Sequence, residues 1–451
     1  MAPVGPELDA PTIDHVLESS SSRSSASATG LDVRPFRALT YRQQDPEHLA
    51  RVSSPAYDLV TPAGRARLAG LDRHNVVRLI LPEGGPDFAG SADAAARSAD
   101  MAATTLRRWQ DEGVLVRDDE PALWLYELRP AGGGPVTAGW LGAVALPPPG
   151  SAAVLPHEDT YPVAVEGRRA LLAATRTDLE PIVLAHDPDP EVAALTDEVR
   201  RDPIAMTIED ADGVGHRLWR VTDRSVLDRL TAALARTEAV IADGHHRFAA
   251  ARAHERTSGA RPGSGSVLAL VTPMGPGGLR VDPIHRVVPD LDLDSAVRAA
   301  ATGFTLTDVP TGGTSAADAV HRWLTAAGES GFLLSDGTRV VQLTEPSDSV
   351  LAAVPSEAPP AWRGLDVVRA HHGLLELLWH CPDDPDSVLI AHSVEEALRL
   401  AADRAGVALL LRAPSPSDVA AVARAGARMP RKSTLFVPKP RTGLVLRPLA
   451  D

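Results

Sequence analysis

The sequence predicts a mixed α/β protein. Apolar runs of strand length recur along the chain, bounded by Gly, Pro, Asn and Asp. Longer stretches with helical spacing, several opened by Ser, Thr or Asp, lie between them. Of the 451 residues 44% are apolar, enough for a large core and for two or three domains.

Residues 1 to 30 are rich in Ser, Ala and Pro and read as a disordered tail. Order is expected from Leu31. Ser54 to Val60 reads as a loop running into an extended piece. Thr61-Pro62 opens a helix, with Thr as cap and Pro in the first turn. Val76 to Leu81 reads as a strand, and Ala94 to Glu112 as a helix ending at Gly113. Ala122–Glu127 and Ala138–Leu146 read as paired strands around the turn Gly132-Gly-Gly134. Val154 to Pro162 is a polar loop bounded by prolines. Gly167–Thr175 is helical, Glu180–Ala185 and His216–Val221 are strands, and Asp223–Arg236 is a helix. Strands follow at Ser266–Val271 and around Val281–Val288, with His285-Arg286 near a strand edge.

Past about 291 a separate α/β segment is expected. Helices are predicted over Ser295–Ala301, with Asp294 as cap, and over Ala316–Ala326. A hairpin around Asp336-Gly337 joins Gly331–Leu334 to Arg339–Leu343. Leu365–His380 reads as an amphipathic helix, with His371-His372 structural or at its surface. Ser387–His392 and Val407–Arg412 are strands, and Val394–Ala405 and Pro416–Ala425 are helices. Met429 to Gly443 is punctuated by prolines and too rich in donors for a plain linker.

The net charge of −14 argues against a general nucleic-acid or membrane-surface binder. No apolar run reaches membrane-spanning length. One cysteine, Cys381, excludes an internal disulfide framework and a cysteine zinc cluster. A reducing cytoplasm fits, as does the lack of a secretory signal pattern. The chain has 45 basic residues, yet its only lysines are Lys432 and Lys439. In so Arg-rich a composition, two retained ammonium groups are candidates for ligand contact.

The stretch Glu238-Ala-Val-Ile-Ala-Asp-Gly-His-His-Arg247 stands out. A buried strand meets the Asp243-Gly244 turn, and an Ala-rich helix follows. His245, His246 and Arg247 fall in the first helical turn, where acidic side chains are normally preferred. Their cationic character makes sense around a docked anion, which free backbone N–H groups also attract. Phosphoryl transfer needs phosphate donors, a divalent metal and a base. Gly244 to Arg247 supply the donors. Asp243 is placed for magnesium or for orienting a histidine, and Glu158 for accepting a hydroxyl proton. Lys432, Ser433 and Thr434 could close on a phosphate or a carboxylate. A P-loop is absent. The rival reading is a zinc or iron site drawn from His157, Glu158, Asp243, His245, His246 and His285.

These residues resemble those of domain-of-unknown-function family 1015. The resemblance runs from Arg34-Pro-Phe-Arg37 to Gly443. It includes Pro55-Ala-Tyr-Asp58, Asn75 to Gly84, Leu155-Pro-His-Glu-Asp-Thr160, Ala242-Asp-Gly-His-His-Arg247, His285-Arg286, Met429-Pro-Arg-Lys-Ser-Thr434 and Pro438-Lys439. Ser54-Pro-Ala-Tyr departs from the family, which usually has a second proline before the tyrosine. The Asp-Gly-His-x-Arg turn is also similar to that of the ParB/sulfiredoxin-like fold and its free-serine kinases.

These likenesses imply a ParB/sulfiredoxin-like nucleotide-binding core at 151–290, between α/β segments at 31–150 and 291–451. They imply nucleotide phosphates at Gly244, His245, His246 and Arg247, and catalytic roles for Glu158, His245 and Asp243, with Asp243 also on magnesium. Substrate contacts are expected from His157, Thr160, His285, Arg286, Lys432, Ser433 and Thr434. The implied activity is phosphoryl transfer from ATP or ADP to free L-serine or a similar hydroxy amino acid. The partners are then small molecules, not nucleic acid or membrane, and a homodimer is compatible. A nucleotide-binding regulator without catalysis and a phosphatase or nuclease are the alternatives.

Overall fold

The computed structural model describes residues 30–82, 92–259, 261–326, 330–382, 384, 386–430 and 432–450. The expected tail, Glu83-Gly84 and Arg431 lie outside them. The fold is mixed α/β, built on two large sheets with helices against them.

The larger sheet has nine strands. Across it run Val154–Leu155, Ala239–Asp243, Ile182–His186, Ser266–Pro273, Thr137–Ala145, Leu123–Arg129, Gly215–Val221 and Met206–Glu209, with Val33–Arg34 beside Thr137–Ala145. Its central strands are buried almost throughout, which is why their sequences read as continuous apolar runs. Strands from both sides of position 150 hydrogen-bond in this one sheet, so the expected boundary there falls in a loop within it. The smaller sheet has six strands, all antiparallel: Thr305–Asp308, Val340–Thr344, Phe332–Ser335, Val407–Leu410, His285–Val288 and Leu389–Ala391. It begins at His285, a little before the expected boundary at 291.

Two pairings position the site. Ala239 and Val240 lie parallel to Val154 and Leu155. The chain therefore leaves both strands at the same end of the sheet, and His157-Glu158 emerges beside Gly244-His245 despite the long separation in sequence. Ser266–Pro273 is parallel to Ile182–His186, which stands on the other side of Ala239–Asp243. The C-terminal segment returns to the same place. Leu435–Val437 pairs with Arg280–Asp282, Ser54 pairs with Thr442, and Leu39 with Leu446.

Several elements differ from their predictions. Val76–Leu81 holds a short helix, Val77–Ile80, and no strand. An apolar run without alternation fits either state. Here the side chain of Asn75, the chain's one asparagine, accepts the Val77 N–H at 2.9 Å and donates to the carbonyls of Arg51 and Ser53. The expected extended piece after Ser54 contains a single 3-10 turn, Tyr57–Leu59. Asp292, two residues before Asp294, caps the helix Leu293–Ala300. The predicted helix at 365–380 is a short α-helix, Asp366–Arg369, continuing into a π-helix, Ala370–Leu378.

Candidate functional site

Gly244 is the pivot of the site. Its φ of +93° lies in the left-handed region, and a Cβ there would sit 2.8 Å from Ile182 Cγ2. Only glycine fits both conditions without strain. The helix His245–Ser258 starts directly after it and has no side-chain cap. Its first N–H groups have no intrahelical acceptor and mark an anion-binding end. Gly244 to Arg247 line a cavity of about 1040 Å³, together with Tyr57, Asp58, Glu158, Arg168, Lys432 and Lys439.

Asp243 and Arg247 are bound into the frame of this cavity. The Arg247 guanidinium donates to Asp243 Oδ2 and to the carbonyl of Pro181. Lys439 Nζ lies 2.7 Å from Asp243 Oδ1 and also contacts Asp58. The result is a chain of alternating charge, Asp58–Lys439–Asp243–Arg247, largely buried except at its exposed Asp58 end. Burial pushes the Asp243 carboxyl upward, but Arg247 and Lys439 outweigh it and hold the group below its ordinary range. Both oxygens of Asp243 already face cations, so it does not fit the expected role of magnesium ligand. Arg247, expected at the nucleotide phosphates, lines the cavity while its guanidinium also holds Asp243 and Pro181. Its Nε is buried without a protein partner, and its guanidinium lies 5.6 Å from the Tyr57 ring centre.

The two histidines are neutral and oriented. His245 Nε2 accepts the backbone N–H of His157 at 3.2 Å, so its proton resides on Nδ1. That nitrogen faces Glu158 Oε2 at 3.9 Å. Burial and the neighbouring His157 keep His245 well below its ordinary pKa. His246 Nε2 accepts the Tyr161 N–H at 3.1 Å, and its ring stacks on Tyr161. Burial, then Arg168 and Lys432, lower its pKa. Glu158 moves the other way. Burial raises its pKa, against the opposing pull of Lys432 and of Thr434, whose hydroxyl donates to Oε1 at 3.2 Å.

The remaining expected site residues divide. Lys432 and Thr434 line the cavity. Lys432 is exposed, takes a left-handed φ of +53°, and also lines a second cavity alongside. His157 is fully buried behind the lining, 3.0 Å from the Thr434 hydroxyl, with its pKa lowered to about 4 chiefly by burial. Besides His157, four expected residues do not line the cavity. Thr160 is absent from its wall. His285 Nδ1 accepts the Leu411 N–H inside the smaller sheet. Ser433 donates to the Pro430 carbonyl at 2.6 Å. Arg286 faces the second cavity and donates to the Lys432 carbonyl at 2.8 Å, which positions that turn. Among the described residues, the rival zinc or iron set does not gather at metal-binding spacing.

Tyr57, Asp58 and Arg168 have no role in the expected site; Lys439 enters it as one of two scarce lysines and in the family resemblance, Pro438-Lys439. The Tyr57 ring lies under the Arg168 guanidinium at 3.6 Å, and its backbone N–H donates to Glu180. The signal for the first two was Pro55-Ala-Tyr-Asp58 in the family resemblance.

The model of a family described as a protein of unknown function (DUF1015) matches residues 33–368. The chain belongs to this family. No curated protein matches the sequence. Among solved structures, a free serine kinase variant in complex with ADP is similar at 15% identity over 68% of this chain and 90% of that one, with a TM-score of 0.34. SbnI with a C-terminal truncation, from Staphylococcus aureus, is similar at 12% identity over 69% and 88%, with a TM-score of 0.35. A conserved hypothetical protein from Pyrococcus furiosus is similar at 14% identity over 63% and 87%, with a TM-score of 0.31. No helix among the described residues is long and apolar enough to cross a membrane.

Proposed function

We propose that this chain is a small-molecule kinase. It transfers a phosphoryl group from ATP or ADP to the hydroxyl of free L-serine or a similar hydroxy amino acid. The observation that carries this reading is the uncapped helix start at Gly244 opening into a large cavity beside Glu158. The helix N–H groups suit phosphate oxygens, and Lys432 adds positive charge at the rim. Glu158 is a carboxylate with a raised pKa in a partly buried place, as a general base requires.

In the transfer, the acceptor oxygen bonds to the terminal phosphorus as the bond from phosphorus to the nucleotide's bridging oxygen breaks. The hydroxyl proton passes to Glu158. His245, held by the His157 backbone, presents its Nδ1–H toward the same carboxylate and orients it. The residues do not support a magnesium ion on Asp243, so no step is assigned to one there.

The substrates to try first are ATP or ADP with L-serine, in the presence of magnesium. Formation of O-phosphoserine, followed by phosphorus NMR, is the expected result. Nucleotide binding with no product from any hydroxy amino acid would leave a regulator. Release of inorganic phosphate without an acceptor would point to a hydrolase.

A further inference from the structure

A different part of the molecule carries a second set of ligating groups. We infer that His371, His372 and Glu376 form a binding site for a divalent transition-metal ion, apart from the Gly244 cavity.

The argument begins with the helix that bears them. Adjacent residues on an α-helix point about 100° apart, so neighbouring histidines seldom share an ion. The Ala370–Leu378 segment is a π-helix, and at its end the Trp379 N–H reaches the Leu374 carbonyl, five residues back, at 2.9 Å. The wider turn brings residues four and five apart onto one face, and π-turns of this kind are frequent at functional sites. His372 and Glu376 are four apart, and His371 and Glu376 are five apart.

The side chains converge accordingly. His371 Nε2 lies 3.2 Å from Glu376 Oε1, and His372 Nδ1 lies 2.7 Å from Glu376 Oε2. The two imidazole centres are 4.7 Å apart. One ligand atom from each residue falls within 4.8 Å of the other two. A single ion can therefore be reached by all three with small side-chain rotations.

The site is also open to an incoming ion. Both histidines line the second cavity, of about 730 Å³. Their side chains are 21% and 18% exposed, and that of Glu376 is 43% exposed. Two imidazoles and one carboxylate match zinc and its first-row neighbours. Magnesium and calcium prefer all-oxygen sets. Three protein ligands leave a coordination position free for a water or another ligand.

Equilibrium dialysis of the full chain against zinc, with bound metal counted by elemental analysis, tests the assignment. The wild-type protein should retain one more zinc ion per chain than Glu376→Gln or the His371→Gln/His372→Gln double variant. Magnesium in place of zinc should show no such difference. Cobalt in place of zinc should give visible absorption bands that vanish in Glu376→Gln, a variant whose exposed position spares the fold. Equal zinc retention in wild type and both variants would overturn the inference. So would a wild-type protein that takes up neither zinc nor cobalt at micromolar free metal.

Discussion

Replacing Lys439 with methionine tests the charged frame of the site. The substitution keeps most of the apolar stem and removes the ammonium from the Asp58–Lys439–Asp243–Arg247 chain. The Lys439 side chain is only 11% exposed, and that of Asp243 is 15% exposed. Asp243 would keep Arg247, while Asp58 would lose its lysine. Breaking a buried pair from one side costs about 3–5 kcal/mol. Asp58 is 38% exposed, and solvent there moves the expected value toward about 3 kcal/mol. With a urea slope of about 3 kcal/mol per molar, the unfolding midpoint should fall by about 1 M at pH 7.5. The pH dependence has a definite sign. Asp243 has a depressed carboxyl pKa when folded, so its contribution is present above the ordinary value of 3.8 and is lost as the pH falls through the folded value. The variant therefore approaches the wild type in acid. Lys432→Met, on an exposed side chain, should leave the midpoint in place. A midpoint change below about 0.3 M for Lys439→Met, or equal changes at the two lysines, would refute the buried-chain reasoning.

Gly244→Ala should destabilise the fold by at least about 2 kcal/mol, from the left-handed backbone and the crowding against Ile182. It should also abolish fluorescent-nucleotide binding, and an unchanged affinity would contradict the anion site. Glu158→Gln should lower kcat about 10²- to 10⁴-fold while leaving nucleotide affinity unchanged in a titration. In the wild type, Glu158 must lose its proton to act, so activity should rise with pH through a value above the ordinary range for glutamate. An acidic limb at or below the ordinary value would argue against Glu158 as base. His157 and His285 both fall from 6.5 to about 4 through burial. Their contributions are complete above pH 6.5 and vanish as the pH drops toward 4, each worth about 3 kcal/mol. Urea unfolding at pH 7 and pH 4.5 should show that loss, and a flat profile would contradict it.

The strand, turn and helix around Gly244 were legible because apolar run, turn residue and helix former follow each other without a gap. The meeting of Glu158 with His245 was not legible from spacing. It depends on the parallel pairing of Val154–Leu155 with Ala239–Val240, which nothing local encodes. Asp243 ends the strand Ala239–Asp243 and Arg247 sits in the first turn of the helix after Gly244, where the turn brings their charges together. The expectation of Arg247 at the phosphates did not include this second partner, which the structure places beside the cavity. Thr160, His285 and Ser433 were grouped with the site because their sequence neighbours belong to it. The local turns and the strand His285–Val288 send their side chains elsewhere: His285 to the Leu411 N–H and Ser433 to the Pro430 carbonyl. The run at Val76–Leu81 carries no period, and the Asn75 side chain decides its conformation.

The return of the C-terminal segment has a consequence for how the protein is made. Lys439 enters the site, Leu446 pairs with Leu39, and the Leu449 N–H reaches the Arg176 carbonyl. A ribosome that has translated both large sheets has still not supplied the ammonium that neutralises Asp58 and Asp243. Until residues 432 to 449 emerge, the cavity lacks part of its wall and the early strand Leu39–Tyr41 lacks its Leu446 bridge. Completion of the cavity is thus tied to late synthesis, and a product released early carries the helix start of Gly244 without its closing charges.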